Sequence, residues 1–223
     1  MLILSIETVT EETSVALSLN DIVYADHRRL RGREQSDQLI AMIDGLFQQH
    51  SVKAADLDLI ILDKGPGSFS GCRLGASIAL ALKMAARSST LGISHLQLLA
   101  WQAKKLDLPV IACCDARMNQ LYWGEYITND TIPALLSPEQ VSAAADIHTA
   151  AVRYATQEPF ALVGHSLDSY RSEMAPLINK ASYFDDQLVP DARQLLELGY
   201  HVFLSGDYST GLVPNYVRNK VTY

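Results

Sequence analysis

Residues 64–75 read KGPGSFSGCRLG, and the fold of the chain turns on how this glycine-rich stretch is understood. An apolar run at 57–62 precedes it, and an apolar, alanine-rich segment continues to about residue 87. The pattern is therefore strand, tight turn, helix. Gly65 and Gly67 supply backbone freedom to the turn while Pro66 stiffens it. A glycine loop opening a helix suggests a phosphate cradle. Neither Gly-Lys-Ser/Thr nor Gly-x-Gly-x-x-Gly follows, however, so the specific signature is missing. Gly71 and Gly75 stand four apart, with Ala79 one turn further. That small-residue face predicts close helix packing, and it is read here as structural or as an interface.

Working outward, the chain shows the same order of elements twice. Apolar 2–6 predicts a covered strand, and 14–19 alternates. Asn20 and Asp21 make a two-residue hairpin into 22–26. Leu39, Ile40, Met42, Ile43, Leu46 and Phe47 recur at helical spacing within 36–50. From residue 110 the series restarts, with strands expected at 110–114, 121–127, 131–136 and 160–163. Ser137-Pro138-Glu139-Gln140 carries the residues of a helix start, so a helix is expected after it. Asp191 is expected to cap a last helix running to Leu204. The echo predicts two α/β lobes, each βββαβα, divided at 1–106 and 107–223.

Composition narrows the function. Of 223 residues, 48% are apolar and 19% charged, enough for a sizeable core. No apolar run is long enough to span a bilayer, and MLILSIET has neither the basic start nor the cleavage site of a secretion signal. The expected location is the cytoplasm. Cys72, Cys113 and Cys114 form no metal or disulfide pattern. A net charge of −7 argues against strong direct binding to tRNA or other nucleic acid. Ser68 and Ser70 form no nucleophile elbow. Asp115 and Arg117 read as a turn with a local ion pair, with a lobe-closing contact as the functional alternative.

GPGSFSGCRLG resembles the signature of the TsaB family. Further resemblances fall in order: ILSIET, REQSDQL at 33–39, GISHLQLLA at 92–100, CDARMNQLYW at 114–123 and PNYVR at 214–218. The resemblance implies an actin/Hsp70-like fold of the ASKHA, RNase H-like class. It also implies a non-catalytic relative of TsaD, the subunit that transfers the threonylcarbamoyl group to the adenosine beside the tRNA anticodon. The implied partners are TsaD and the small ATPase TsaE, with a homodimer when TsaD is absent.

TsaD-like relatives hold a metal through two helical histidines four residues apart. Here His95 stands near the first position and Leu99 at the second, so no metal or cofactor is expected and His95 reads as a helix-start or surface residue. Glu7, Thr8 and Thr10 are the remnant of a nucleotide region in which relatives more often carry Asp at position 7. Gln35 replaces a common histidine, making that helix start a poor place for chemistry. Arg218 in PNYVR is expected to solvate the tail or order it against a partner. The expected partner face is Leu39, Met42, Ile43 and Leu46 on the first helix with Gly71, Cys72, Gly75, Ala76 and Ala79 on the second. The rival readings are an actin-like ATP-dependent enzyme, a metallopeptidase-like protein, or an interaction module serving another partner.

Overall fold

The computed structural model describes residues 1–128, 132–147 and 159–217. The chain divides into two compact units, one of Met1–His95 with Pro190–Asn215, the other of Leu96–Val189 with Tyr216–Tyr223.

The first unit is built on strands β1 (Ile3–Glu7), β2 (Glu12–Leu19), β3 (Ile22–Arg29), β4 (Leu59–Asp63) and β5 (Ser89–Ile93). Their order is β3-β2-β1-β4-β5. The first three are antiparallel neighbours, whereas β4 runs parallel to β1 and β5 parallel to β4. Asn20 and Asp21 both adopt positive φ and join β2 to β3 in register, as a two-residue hairpin requires. Helices α1 (Arg33–Gln49) and α2 (Phe69–Ala86) cover the sheet face formed by Leu4, Ile6, Leu17 and Leu62. The N-terminus of α2 is capped by the Ser68 hydroxyl, which accepts from Gly71 N–H.

The second unit repeats the plan. Strands β6 (Val110–Asp115), β7 (Gln120–Ile127), β8 (Ala134–Leu135), β9 (Gln140–Ala143), β10 (Ala161–His165) and β11 (Tyr183–Asp185) form one sheet. Its order is β11-β10-β6-β7-β8, with β9 also pairing β7. Here β6 lies in the middle with β7 antiparallel on one side and β10 parallel on the other, matching β1, β2 and β4. The tandem echo in the sequence is thus a repeated topology: in each unit a central strand lies between an antiparallel and a parallel neighbour. Helix α3 (His95–Gln102), from Leu96 onward, and helix α4 (Arg171–Ile178) belong to the second unit, and Leu96, Leu99 and Ala100 of α3 join Val110, Tyr126 and Val163 in its core.

Two expectations change. The helix expected directly after residues 137–140 gives way to β9, whose residues pair with β7 from Gln120↔Ala143 to Trp123↔Gln140. Trp123 Nε1–H donates to Ser142 Oγ at 3.0 Å, and the Tyr126 hydroxyl donates to Glu139 at 2.5 Å. Pairing of the segment with a long neighbouring strand overrides its local capping signal. The last helix, α5 (Ala192–Ser205), has the capping box predicted at Asp191, but it packs with the first unit. Ser5 Oγ donates to Ala192 O at 2.6 Å, Ala192 N–H donates to Ser14 Oγ at 2.9 Å, and Gly199 lies against Ile61. The face of the first sheet opposite α1 and α2 therefore needs residues that follow the second sheet in sequence. Arg218 lies outside the described residues.

Candidate functional site

The ends of β1 and β4 meet the start of α2 in a closely packed corner of the first unit. Past Glu7 the chain turns through Thr8, Val9 and Thr10. Glu7 folds back so that Oε1 accepts from Val9 N–H at 2.7 Å and Thr10 N–H at 3.1 Å. The Gln35 amide, buried at the start of α1, donates to Thr8 O, Thr10 O and Thr13 Oγ1 at 3.2, 2.7 and 2.9 Å. Gln35 thereby clamps the turn, a structural role that its sequence position did not reveal.

The glycine-rich loop closes on the same turn. Thr8 Oγ1 donates to Gly71 O at 2.8 Å, and Ser68 N–H donates to Val9 O at 3.1 Å. A β-carbon on Gly71 would stand 1.9 Å from Thr8 O, one on Gly75 2.5 Å from Thr8 Oγ1, and one on Gly67 2.3 Å from Val9 Cγ1. The small-residue face is therefore pressed against the chain's own β1 turn and is not a surface for another helix. The space in which a loop of this kind could cradle a phosphate is filled by Thr8 and Val9. Glu7 Oε1 and the Thr8 and Thr10 hydroxyls bond to neighbouring backbone, with Thr10 Oγ1 accepting from Glu12 N–H at 3.1 Å.

Beneath the turn lies a group of three titratable side chains. Glu7, Asp63 and His95 are all fully buried. Asp63 accepts from Gly65 N–H at 2.9 Å through Oδ1, and Oδ2 stands 2.6 Å from His95 Nδ1. Burial, and then the neighbouring Asp63 charge, hold the Glu7 carboxyl well above its ordinary range. Its Oε2 has no hydrogen-bond partner among the described residues. His95 does begin a helix, as expected, but it is a core residue and not a surface one. Asp63 carries no signal of a site in the sequence, because a carboxylate ending an apolar strand marks only a strand end. The position one turn after His95 is Leu99, which offers no donor atom and lies in the core, so no helical histidine pair forms here.

The expected partner face divides by side. Leu39, Met42, Ile43, Leu46 and Ala79 all belong to the core beneath α1 and α2, and Cys72 is also buried. These side chains cannot meet a partner, because the apolar stripe of a helix lying on a sheet turns toward that sheet. Ala76 is only partly buried. The apolar side chains that the two helices present outward are Ile40 (63% exposed), Phe69 (51%), Leu80 (51%) and Met84 (76%). Residues 69, 73, 76, 80 and 84 follow three- and four-residue steps and so line one side of α2. Arg73 lies over the Phe69 ring, 3.6 Å from its centroid.

In the second unit, Asp115 Oδ1 accepts from Arg117 N–H at 2.7 Å and the Tyr170 hydroxyl at 2.6 Å, with the Arg117 guanidinium 3.3 Å from Oδ2. Arg117, Met118 and Asn119 all have positive φ. This pair is part of the β6–β7 turn.

The family model described as "TsaD: tRNA N6-adenosine threonylcarbamoyltransferase" matches residues 27–199. The tRNA threonylcarbamoyladenosine biosynthesis protein TsaB of Escherichia coli is 35% identical over 150 residues, 63% of this chain and 64% of that protein's length. The Haemophilus influenzae protein of the same name is 28% identical over 233 residues, covering 99% of this chain and 95% of its own. A crystal structure of an uncharacterised Pseudomonas aeruginosa protein with similarity to YeaZ superposes with a TM-score of 0.84 at 26% identity, over 97% of this chain and 99% of that one.

Proposed function

The chain belongs to the tRNA N6-adenosine threonylcarbamoyltransferase (TsaD) family and to its TsaB/YeaZ branch, and from that premise we propose that it is a non-catalytic subunit of tRNA threonylcarbamoyladenosine synthesis. It binds TsaD, holds it in a competent arrangement and helps to recruit TsaE.

The observation that carries this reading is the outward row on α2. Phe69, Leu80 and Met84, joined by Ile40 of α1, are large apolar groups left in water by the fold. Exposed apolar groups grouped on one helix side mark association surfaces more often than scattered ones do. Burying the part of each that remains exposed would contribute about 1–2 kcal/mol. TsaD covers this row in the complex. In its absence a second copy pairs through the same row as an isologous homodimer.

A lack of catalysis by this chain is supported by the turn after β1, where the Thr8 and Thr10 hydroxyls and Glu7 Oε1 bond to neighbouring backbone. None of the described helices is long and apolar enough to cross a membrane, which fits a place in the cytoplasm with the tRNA machinery. With a net charge of −7, the chain meets tRNA through its partners. Capture of TsaD on the tagged full-length chain tests the partner assignment, and calorimetry with ATP and magnesium tests the lack of activity. Heat from turnover by this chain alone would reject the non-catalytic role.

A further inference from the structure

We infer that Glu7, Asp63 and His95 form a buried site for one divalent cation of the zinc or manganese class, which ties the β1 turn to the end of β4. The inference stands apart from the partner reading and from the helical histidine pair, whose second position is Leu99.

Three rigid elements bring the ligands together. Glu7 ends β1 and Asp63 ends the parallel neighbour β4, where Ile6 pairs with Leu62. His95 begins α3, and its N–H donates to Gly65 O at 2.9 Å. One donor atom from each residue lies within 4.8 Å of the others. Donors on a tetrahedral zinc at about 2.0–2.2 Å stand about 3.3–3.6 Å apart, so a pair at the full 4.8 Å would have to close by about 1 Å. The hydrogen between His95 Nδ1 and Asp63 Oδ2 gives way as the cation enters.

The second observation is the orphaned oxygen. Glu7 Oε1 accepts two backbone N–H groups, whereas the fully buried Oε2 has no partner among the described residues. No lysine or arginine among those residues pairs with Glu7 or Asp63. Asp63 is paired with His95, whereas an ionised Glu7 would be a buried unpaired charge, which costs several kcal/mol. A divalent cation neutralises both carboxylates and gives Oε2 a partner. Two oxygens and an imidazole nitrogen suit zinc or manganese, whereas calcium requires six to eight oxygens. The groups that would orient the ligands are already in place: Gly65 N–H holds Asp63, and Val9 and Thr10 N–H hold Glu7.

The test uses the full-length chain, freed of any affinity tag and stripped with chelator, then titrated with zinc chloride and separately with manganese chloride. One equivalent should bind and raise the melting temperature. The Glu7→Gln variant should lose more than about tenfold in affinity. X-ray absorption of the zinc-loaded wild type should show oxygen and nitrogen neighbours without sulfur, and this decides the matter if the variant does not fold. Absence of binding by the wild type, a sulfur neighbour, or unchanged affinity in Glu7→Gln would overturn the site and leave a proton on Glu7 as its only occupant.

Discussion

The Thr8 hydroxyl donates to the carbonyl of Gly71 at 2.8 Å, and this approach leaves no room for a β-carbon on Gly71. The first turn of α2 and the turn after β1 are thereby a single packed unit. Gly71→Ala would place a methyl 1.9 Å from Thr8 O, where backbone must move. A loss of about 1–3 kcal/mol or more is expected. Gly45→Ala is the control: its methyl meets nothing within 4 Å in α1, and a gain of about 0.5–1 kcal/mol is expected. Urea denaturation of both variants reads the difference in sign.

Glu7 gives stability a pH dependence of defined sign. Its native carboxyl is held well above the ordinary value of 4.5 by burial and by Asp63. Between those values the native state keeps a proton that the unfolded chain has released. The contribution of this group is therefore fully present below 4.5 and is lost as pH rises through the native value. Glu7→Gln cannot ionise. In chelator-treated protein, the stability of Glu7→Gln relative to wild type should rise from about pH 5 to about pH 9. Parallel urea midpoints for the two proteins across that range would contradict the assignment.

The cysteines should be inert in the native protein. All three are buried and outside any disulfide. Burial pushes the Cys72 thiol up to about 12 and raises Cys113 as well, so thiolate is scarce at neutral pH. Ellman's reagent should label no thiol in buffer and all three in guanidinium. Rapid labelling of Cys72 in buffer would mean that the glycine loop opens.

Much of the fold was legible because its signals are local. Hydrophobic period, the Asn20-Asp21 turn and the Asp191 cap each act within a few residues, and each marks the element found there. The Ser137 region misleads because its partner is β7, and Trp123 and Tyr126 make the bonds that a helix start would otherwise make for itself. The site was harder to see. Periodicity identified Leu39, Met42, Ile43 and Leu46 as one stripe without saying which side of the helix a partner would see, and in a lone sheet-covering helix the most regular stripe is the inward one. Gly71 and Gly75 follow the same logic, since small residues reveal close approach but not what approaches. Asp63 and His95 are 32 residues apart, and only the β4–β5 crossover brings them together.

The central claim is that the outward row of α2 is the TsaD-binding surface, and Leu80→Asp tests it most directly. Leu80 is half-exposed in the free chain, so the substitution should leave its own stability within roughly 0.5 kcal/mol. A charge at Gly75 would test folding instead, because Thr8 stands in its way. Measured by calorimetric titration of purified TsaD, Leu80→Asp should weaken binding by at least about 2 kcal/mol, roughly thirtyfold. Wild-type affinity in a folded Leu80→Asp chain would place the partner elsewhere and remove the basis of the account.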